Sequence, residues 1–364
     1  MAEIKLVPRS EVDPSITWDM TLLYPSDEAF YAELDNLKKE MKAFKEKYEN
    51  KLGDLEVLDE AIRKYEAIEL AVYRASHYAE LPMTVDRLNP KVVENATAFE
   101  AVSVSYAENM SFVMTELISL DEAFLNQFVA EKRPDLAYFV EKVIRQKKHT
   151  LSKDAEQVLS NLSSLPSFYQ LYEVTKHEDM QFESFEANGK TLENSFVLYE
   201  NLHEMDPDKE VRRAAAKSFY KTLNAYKNTV ANEYISQLKK EKMMATMRGY
   251  DSVIDYLLDE QDGDRELYDR QIRMLMTDLA PHMQRYIKLL AKEHGISDMQ
   301  FMDAKINLDP EFEVDMTIEE SREYLKKALG ILGEDYKAMI DESYDKRWTD
   351  FPQNIGKSTG GFCA

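Results

Sequence analysis

The chain has 364 residues, of which 44% are hydrophobic and 11% aromatic, so it can bury a sizeable core and its charge does not indicate disorder. Its formal net charge of -22 repels phosphate backbones and anionic lipid headgroups, which excludes nucleic acids and membrane surfaces as expected partners. It carries a single cysteine, Cys363, no apolar N-terminal run of signal-peptide length and no stretch of membrane-spanning length. We therefore expect a cytoplasmic protein without an internal disulfide bond.

The first third of the chain has the periodicity of amphipathic helices. Ser26 is a suitable helix N-cap, and apolar residues then recur every three or four positions along one helical face. This stripe consists of Phe30, Leu34, Leu37, Met41, Phe44 and Tyr48. A second helix is predicted from Leu55 to Leu81, ended by Pro82, and a third starts after the N-cap Asn89. Further helices are predicted at 121–128, 135–147 and 152–161.

One β-hairpin interrupts the helical pattern. It is predicted at 181–193, where Asn188-Gly189 is the preferred two-residue turn. A long helix then runs from Asp206-Pro207 to Gly249, and Arg212-Arg213 within it are expected to pair with acids of the same helix. Two more helical stretches are predicted at 266–293 and 317–344. The expected fold is all-α, a multi-helical array with one small β-hairpin and a C-terminal β-like segment.

Histidine spacing provides no zinc-binding helix within the 364 residues. Such a helix needs two imidazoles one turn apart, whereas no histidine lies three to five positions from another. The six histidines are at positions 77, 149, 177, 203, 282 and 294. His177-Glu178 and His203-Glu204 begin like a zinc-peptidase helix but lack the second histidine, so both pairs are expected to be ordinary surface residues. No metal ligand and no catalytic residue is predicted in this chain.

Residues 348–364, WTDFPQNIGKSTGGFCA, differ from the glycine-poor helices that precede them. Three of the ten glycines of the chain lie in its last nine residues. Gly360 and Gly361 leave main-chain N–H and C=O groups without a covering side chain, which suits pairing with an extended peptide. The alternative is a flexible tail. A natural protein rarely ends in such a segment without a partner, so we expect an incomplete protein.

Several sequence segments together resemble those of one family, oligoendopeptidase F, of the thimet-oligopeptidase-like zinc metallopeptidases. In order, they are TWDMTLLYPSDEAF, HTLSKDAEQVLSNLS, ANGKTLENS, MDPDKEVRRAAAKSFY, RGYDSVIDYLLDE, ALGILGEDY and YDKRWTDFPQNIGKSTGGF. The resemblance implies an N-terminal helical region at 1–112, an oligopeptidase F-type N-terminal domain at 113–190 and the start of a catalytic domain at 191–364. It also implies two helical lobes around a channel, cytoplasmic hydrolysis of internal bonds of short peptides, and one zinc ion held by an HExxH helix and a downstream glutamate.

In that family the HExxH helix follows the Gly-Gly-Phe segment, and the present sequence ends before it. The resemblance therefore predicts an N-terminal portion that is inactive alone, binds zinc only in the complete protein, and has short oligopeptides and a missing C-terminal catalytic half as partners. Gly360, Gly361 and Phe362 map to the edge of the channel and are the predicted substrate-binding residues. Ser358, Thr359 and Phe362 depart from the usual GKRSGAY pattern, which leaves substrate preference open. A non-catalytic helical scaffold that binds peptides or proteins is the alternative function.

Overall fold

The computed structural model describes residues 7–162, 165–310, 312, 316–358 and 360–364. The chain divides into two compact units, one formed by Met1–Lys148 with Asp315–Ala364 and the other by His149–Val314. The family resemblance predicts three sequence domains, at 1–112, 113–190 and 191–364. These domains are defined differently from the two compact units, and they stay a prediction. Helices make up 72% of the structure, which confirms the all-α fold class.

The first unit is helical throughout its regular parts, as far as the structure describes it. Its α-helices are Asp27–Tyr48, Leu55–Val85, Pro90–Met110, Phe112–Ser119, Glu122–Glu131, Ala137–Gln146, Ile318–Leu329 and Glu334–Asp345. Short 3-10 turns at Arg9–Glu11, Pro14–Ile16 and Met20–Leu22 precede them. The helices 27–48, 55–85 and 90–110 pack against one another around the main hydrophobic core.

The predicted stripe of the first helix is confirmed. All six of its residues are buried, and Phe30 is fully enclosed. The Ser26 hydroxyl accepts a hydrogen bond from the Ala29 amide, as the N-cap prediction requires. The Phe30 ring lies 4.8 Å from that of Tyr78 on the second helix, so aromatic contacts join the first two helices.

Pro82 does not end the second helix, which continues to Val85. Proline removes one N–H donor, but its own carbonyl still accepts the Asp86 amide at 2.8 Å, which closes the last turn. Ala79 and Val85, on either side of it, are buried. Core packing therefore keeps a turn that the local sequence alone would end.

The predicted helical stretch 317–344 is two helices. The capping box at its start is confirmed, because Thr317 and Glu320 bond each other's backbone amides. The first helix ends at Leu329, and the chain turns through Gly330–Leu332. Gly333 then adopts φ 110°, a backbone angle that residues with a side chain avoid, and so separates the two helices.

The second unit combines helices with a two-stranded sheet. Its α-helices are Lys153–Leu162, Phe168–Val174, Phe196–Asn201, Lys209–Met247, Val253–Glu260, Arg265–Met274 and Ala280–Glu293, and its strands are Phe185–Ala187 and Lys190–Leu192. The strands are antiparallel, with Phe185 opposite Leu192. Asn188 and Gly189 both have positive φ, as a type I′ turn requires, so the predicted hairpin is confirmed.

The predicted helix 266–293 is interrupted by a π turn at Leu275–Leu279. The turn ends two positions before Pro281, which has no N–H and whose ring would clash with the carbonyl four residues earlier in an α-helix. A wider turn there relieves that clash.

Arg212 and Arg213 pair with a distant acid and not with acids of their own helix. Their Nη2 atoms donate to the two carboxylate oxygens of Asp303, at 3.0 Å and 2.7 Å. Arg212 and Asp303 are both buried. Burial would raise the pKa of Asp303, but hydrogen bonds from Arg213, the Gln300 amide and Arg212 hold it below its usual range. The ion pairs fasten the long helix to the turn that contains Asp303.

Among the described residues, no helix is both long enough and apolar enough to pass through a lipid bilayer.

Candidate functional site

The segment after Asp345 holds the predicted substrate-binding residues. Its described part forms turns and bends and contains no strand, although a β-like segment was expected. Pro352 cannot donate to a strand ladder, and Gly356 and Gly360 have φ angles of 85° and 81°, which extended strands do not use. Residues 347–358, which we name the anchor loop, instead follow an irregular path within the first unit.

A buried carboxylate lies at the centre of the anchor loop. Asp350, whose side chain is 4% exposed, accepts hydrogen bonds from Arg9 Nη1 at 3.0 Å and from Lys357 Nζ at 2.7 Å. Arg9 Nη2 also pairs with its second oxygen. Burial would raise the pKa of Asp350, but Arg9 and then Lys357 hold it below its usual range. Asp350 is therefore an ionised group with partners on both sides.

Lys357 links the end of the anchor loop to its middle. Besides the Asp350 carboxylate, its ammonium group donates to the main-chain carbonyls of Asp350 at 3.0 Å and Pro352 at 2.7 Å. Only 14% of its side chain is exposed. One lysine thus satisfies three acceptors in a segment that has no regular secondary structure to satisfy them.

Asn354 joins the anchor loop to the end of the second helix. Its side chain is buried and donates to the Val85 carbonyl at 2.8 Å, while its oxygen accepts from Arg9 Nη1 at 3.2 Å. The Ser358 amide donates to the Thr84 carbonyl at 2.7 Å. The loop is therefore fastened as far as Ser358, two positions before Gly360.

Gly360, Gly361 and Phe362, which begin two positions after the end of the anchor loop, are exposed. A Cβ atom added at either glycine would meet nothing within 4 Å, and the Phe362 ring is 58% exposed. No hydrogen bond links the main chain of these three residues to the part of the protein that the structure describes. Thr359, one of the family departures, lies outside the described residues. The geometry therefore exposes the main chain of two glycines next to an exposed aromatic residue.

Sequence reasoning missed the ion-pair network of the anchor loop. Arg9 and Asp350 are 341 positions apart, so no local spacing indicates their contact. The available signal was the placement of Asp350 and Lys357 in a segment interrupted by Pro352 and Gly356, where a charged pair supplies contacts that a helix or strand would provide elsewhere.

The histidines do not converge on a metal site. Each has a ring nitrogen beside another protein group: His77 with Tyr73 O, His149 with Arg248 O, His177 with the Glu173 carboxylate, His203 with Glu193 O, His282 with Arg285, and His294 with Asn307 O. Within the described ranges, no three side chains of His, Cys, Asp or Glu are grouped so that they could hold a metal ion. The residues that the structure describes therefore do not fit a zinc ion.

The expectation that His203-Glu204 is a surface pair is wrong. Both residues are buried. His203 Nε2 lies 2.9 Å from the Glu193 carbonyl, its ring packs edge-on against Phe185, and Glu204 accepts a hydrogen bond from Lys305 at 2.7 Å. The pair therefore joins the hairpin to neighbouring segments and has a structural explanation without a metal.

Two family models match the chain. Residues 116–182 match the model described as Oligopeptidase F, and residues 202–364 match that described as Peptidase family M3. The second match includes the anchor loop and the three exposed residues that follow it.

Individual relatives match nearly the whole chain. It is 29% identical to Oligopeptidase PepF of Bacillus subtilis, and the match covers 100% of this chain and 55% of that protein. It is 25% identical to the Oligoendopeptidase F homolog of Borreliella burgdorferi, and the match covers 99% of this chain and 60% of that protein. The crystal structure of oligoendopeptidase-F from Enterococcus faecium superposes with a TM-score of 0.66 at 20% identity, covering 87% of this chain and 61% of that one. The chain thus spans 55–60% of the length of these two curated relatives.

Proposed function

Because the chain belongs to the oligoendopeptidase F family, we propose that its native gene product hydrolyses internal bonds of short peptides. We propose further that Gly360, Gly361 and Phe362 bind the substrate main chain. The observation that carries this assignment is that these residues are exposed and that their main chain has no hydrogen bond to the part of the protein that the structure describes, beginning two positions after the fastened Ser358.

The chemistry of peptide recognition matches what these residues offer. An extended peptide presents alternating N–H and C=O groups, which can pair with an exposed backbone edge of the protein. The two glycines remove the side chains that would block such an approach, and Phe362 supplies an apolar surface for a peptide side chain. Because the preceding loop is already ordered, less conformational entropy is lost when the peptide binds.

The family implies a zinc ion, and we propose that its ligands are residues other than those described. The motif HExxH does not occur among the 364 residues, and the described side chains form no ligand cluster. We assign no step of bond cleavage to a residue of this chain. The 364-residue chain is accordingly expected to bind peptides and to leave them intact when it is alone.

We place the activity in the cytoplasm. The lone cysteine and the strongly acidic composition support this proposal. The substrates would then be peptides present in that compartment.

The test compares the native gene product with the 364-residue chain. Both are incubated with a short internally quenched peptide, with and without a chelator, and their zinc content is measured by elemental mass spectrometry. We expect chelator-sensitive cleavage by the native gene product, and neither cleavage nor stoichiometric zinc in the 364-residue chain. Turnover by the 364-residue chain with bound zinc would contradict the proposal.

A non-catalytic scaffold is the second candidate, favoured by the absence of a metal-ligand cluster among the described residues. It predicts that the native gene product binds the same peptide and does not cleave it under any metal condition. The same assay therefore separates the two functions.

A further inference from the structure

Residues 7–19 lie against the anchor loop. Three backbone hydrogen bonds join them: the Ile355 amide donates to Val7 O at 2.9 Å, the Phe351 amide to Ile16 O at 3.2 Å, and the Asp19 amide to Arg347 O at 3.0 Å. We name residues 7–19 the N-terminal strap. These bonds are spread along the anchor loop, at Arg347, Phe351 and Ile355, so the strap and the loop are joined along most of their length.

Side chains reinforce the contact at both ends. Arg347 donates to the Pro14 carbonyl and pairs with the Asp19 carboxylate at 2.7 Å. Arg9 reaches into the loop from the other direction, with 15% of its side chain exposed, and contacts both Asp350 and Asn354. Its planar guanidinium can satisfy two carboxylate oxygens and an amide oxygen together, which the single ammonium group of lysine cannot do in the same geometry.

We propose that the N-terminal strap holds the anchor loop in the position from which Gly360 to Phe362 can pair with a peptide, and that Arg9 is the positioning residue. This inference rests on the proposed function and deepens it. Arg9 does not touch the three binding residues. It acts through Asp350 and Asn354 in the anchor loop, and the last described hydrogen bond of that loop joins the Ser358 amide to the Thr84 carbonyl, two positions before Gly360.

The consequence is that a residue near the start of the chain affects peptide binding near residue 360. Without Arg9, Asp350 keeps Lys357 as a partner but loses both contacts to the strap, and Asn354 loses one acceptor contact. The loop would then open more often, and the binding residues would lose their fixed position. Opening of this kind is measured directly by the exchange of loop amides with solvent.

The experiment uses the native gene product with Arg9→Ala, Arg9→Lys and, as a matched control, Arg63→Ala. Arg63 lies in the same unit and forms an exposed pair with Asp59 of its own helix. Amide exchange is measured at Phe351, Ile355 and Ser358, and KM and kcat are measured separately with a short peptide. We expect Arg9→Ala to accelerate exchange at these amides about tenfold or more and to raise KM by a similar factor, with kcat nearly unchanged. Arg9→Lys should lie between wild type and Arg9→Ala, and Arg63→Ala should match wild type.

Several outcomes would overturn the proposal. Unchanged exchange in Arg9→Ala would show that the strap does not order the loop. A fall in kcat at constant KM would show that Arg9 only maintains the folded fraction. An equal effect in Arg63→Ala would show that the response is general to loss of a positive charge. A native gene product without peptidase activity would defeat the proposed function alone, because the exchange measurement would still decide whether Arg9 fastens the anchor loop.

Discussion

Substitution at Gly361 tests whether its amide pairs with substrate. Gly361→Pro removes the N–H group, whereas Gly361→Ala keeps the N–H group and adds only a methyl group. A Cβ atom at this position meets nothing within 4 Å, so the alanine variant should fold and bind peptide as the wild type does. The pair of variants therefore separates loss of a donor from the mere presence of a side chain.

The expected magnitude follows from one backbone hydrogen bond. Such a bond contributes about 1 kcal/mol net, so its loss should raise KM about fivefold. Gly361 is exposed and has no hydrogen bond to the described residues, so thermal unfolding should change little in either variant. The effect would then be on binding and not on stability.

The assay measures KM for a short quenched peptide and the melting temperature of the native gene product and both variants. Equal KM values for Gly361→Pro and Gly361→Ala would refute the assignment of the Gly361 amide as a substrate donor. A large drop in melting temperature in Gly361→Pro would show instead that this residue supports the fold.

Three further predictions concern stability. Asp350 has a lowered pKa, so its ionised form stabilises the protein above about pH 4, and this contribution is lost as the pH falls through the lowered pKa. Asp350→Asn should therefore be costly in urea unfolding at about pH 7 and progressively less costly as the pH falls below about 4, and a cost that does not change with pH would contradict the ion-pair explanation. Asp303→Asn removes a buried carboxylate and should lower the free energy of unfolding by about 3 kcal/mol. Asp298 is half-exposed, so Asp298→Asn should change that free energy little. Similar free-energy losses in the two variants would argue against a buried pair. Phe30→Ala should lower the free energy of unfolding by about 3 to 5 kcal/mol, because it leaves a cavity in the core. Leu70 is 62% exposed, so the control Leu70→Ala should change that free energy by less than about 0.5 kcal/mol. Chemical denaturation measures both.

Features set by neighbouring residues were predictable from the sequence. The stripe from Phe30 to Tyr48 follows the helical period, and every member is buried. The N-caps Ser26 and Thr317 and the Asn188-Gly189 turn depend on hydrogen bonds or φ angles within a few positions. Local stereochemistry is sufficient for each of them.

Features set by distant partners were not predictable. The predicted stop at Pro82 was wrong because core packing and the Asp86 amide preserve the turn. Arg212 and Asp303 are 91 positions apart, so their pairing leaves no pattern in either local sequence. The burial of His203 likewise depends on the hairpin packed beside it.

The candidate site likewise has features that were predictable from the local sequence and features that were not. The exposed glycine pair and Phe362 could be nominated from composition and from the family resemblance. The contacts that hold them in place could not, because Arg9 belongs to the first residues of the chain and Asp350 to the last. Long-range ion pairs of this kind become visible only when the fold is known.

The most direct measurement is residue-resolved amide exchange of Gly360, Gly361 and Phe362 in the native gene product, with and without a saturating non-hydrolysable peptide. If the peptide main chain pairs with this segment, at least one of these amides should become protected, while amides on the far side of the same unit should not change. A peptide that binds tightly while all three amides exchange at their unbound rates would contradict the assignment of this segment as the substrate-binding edge.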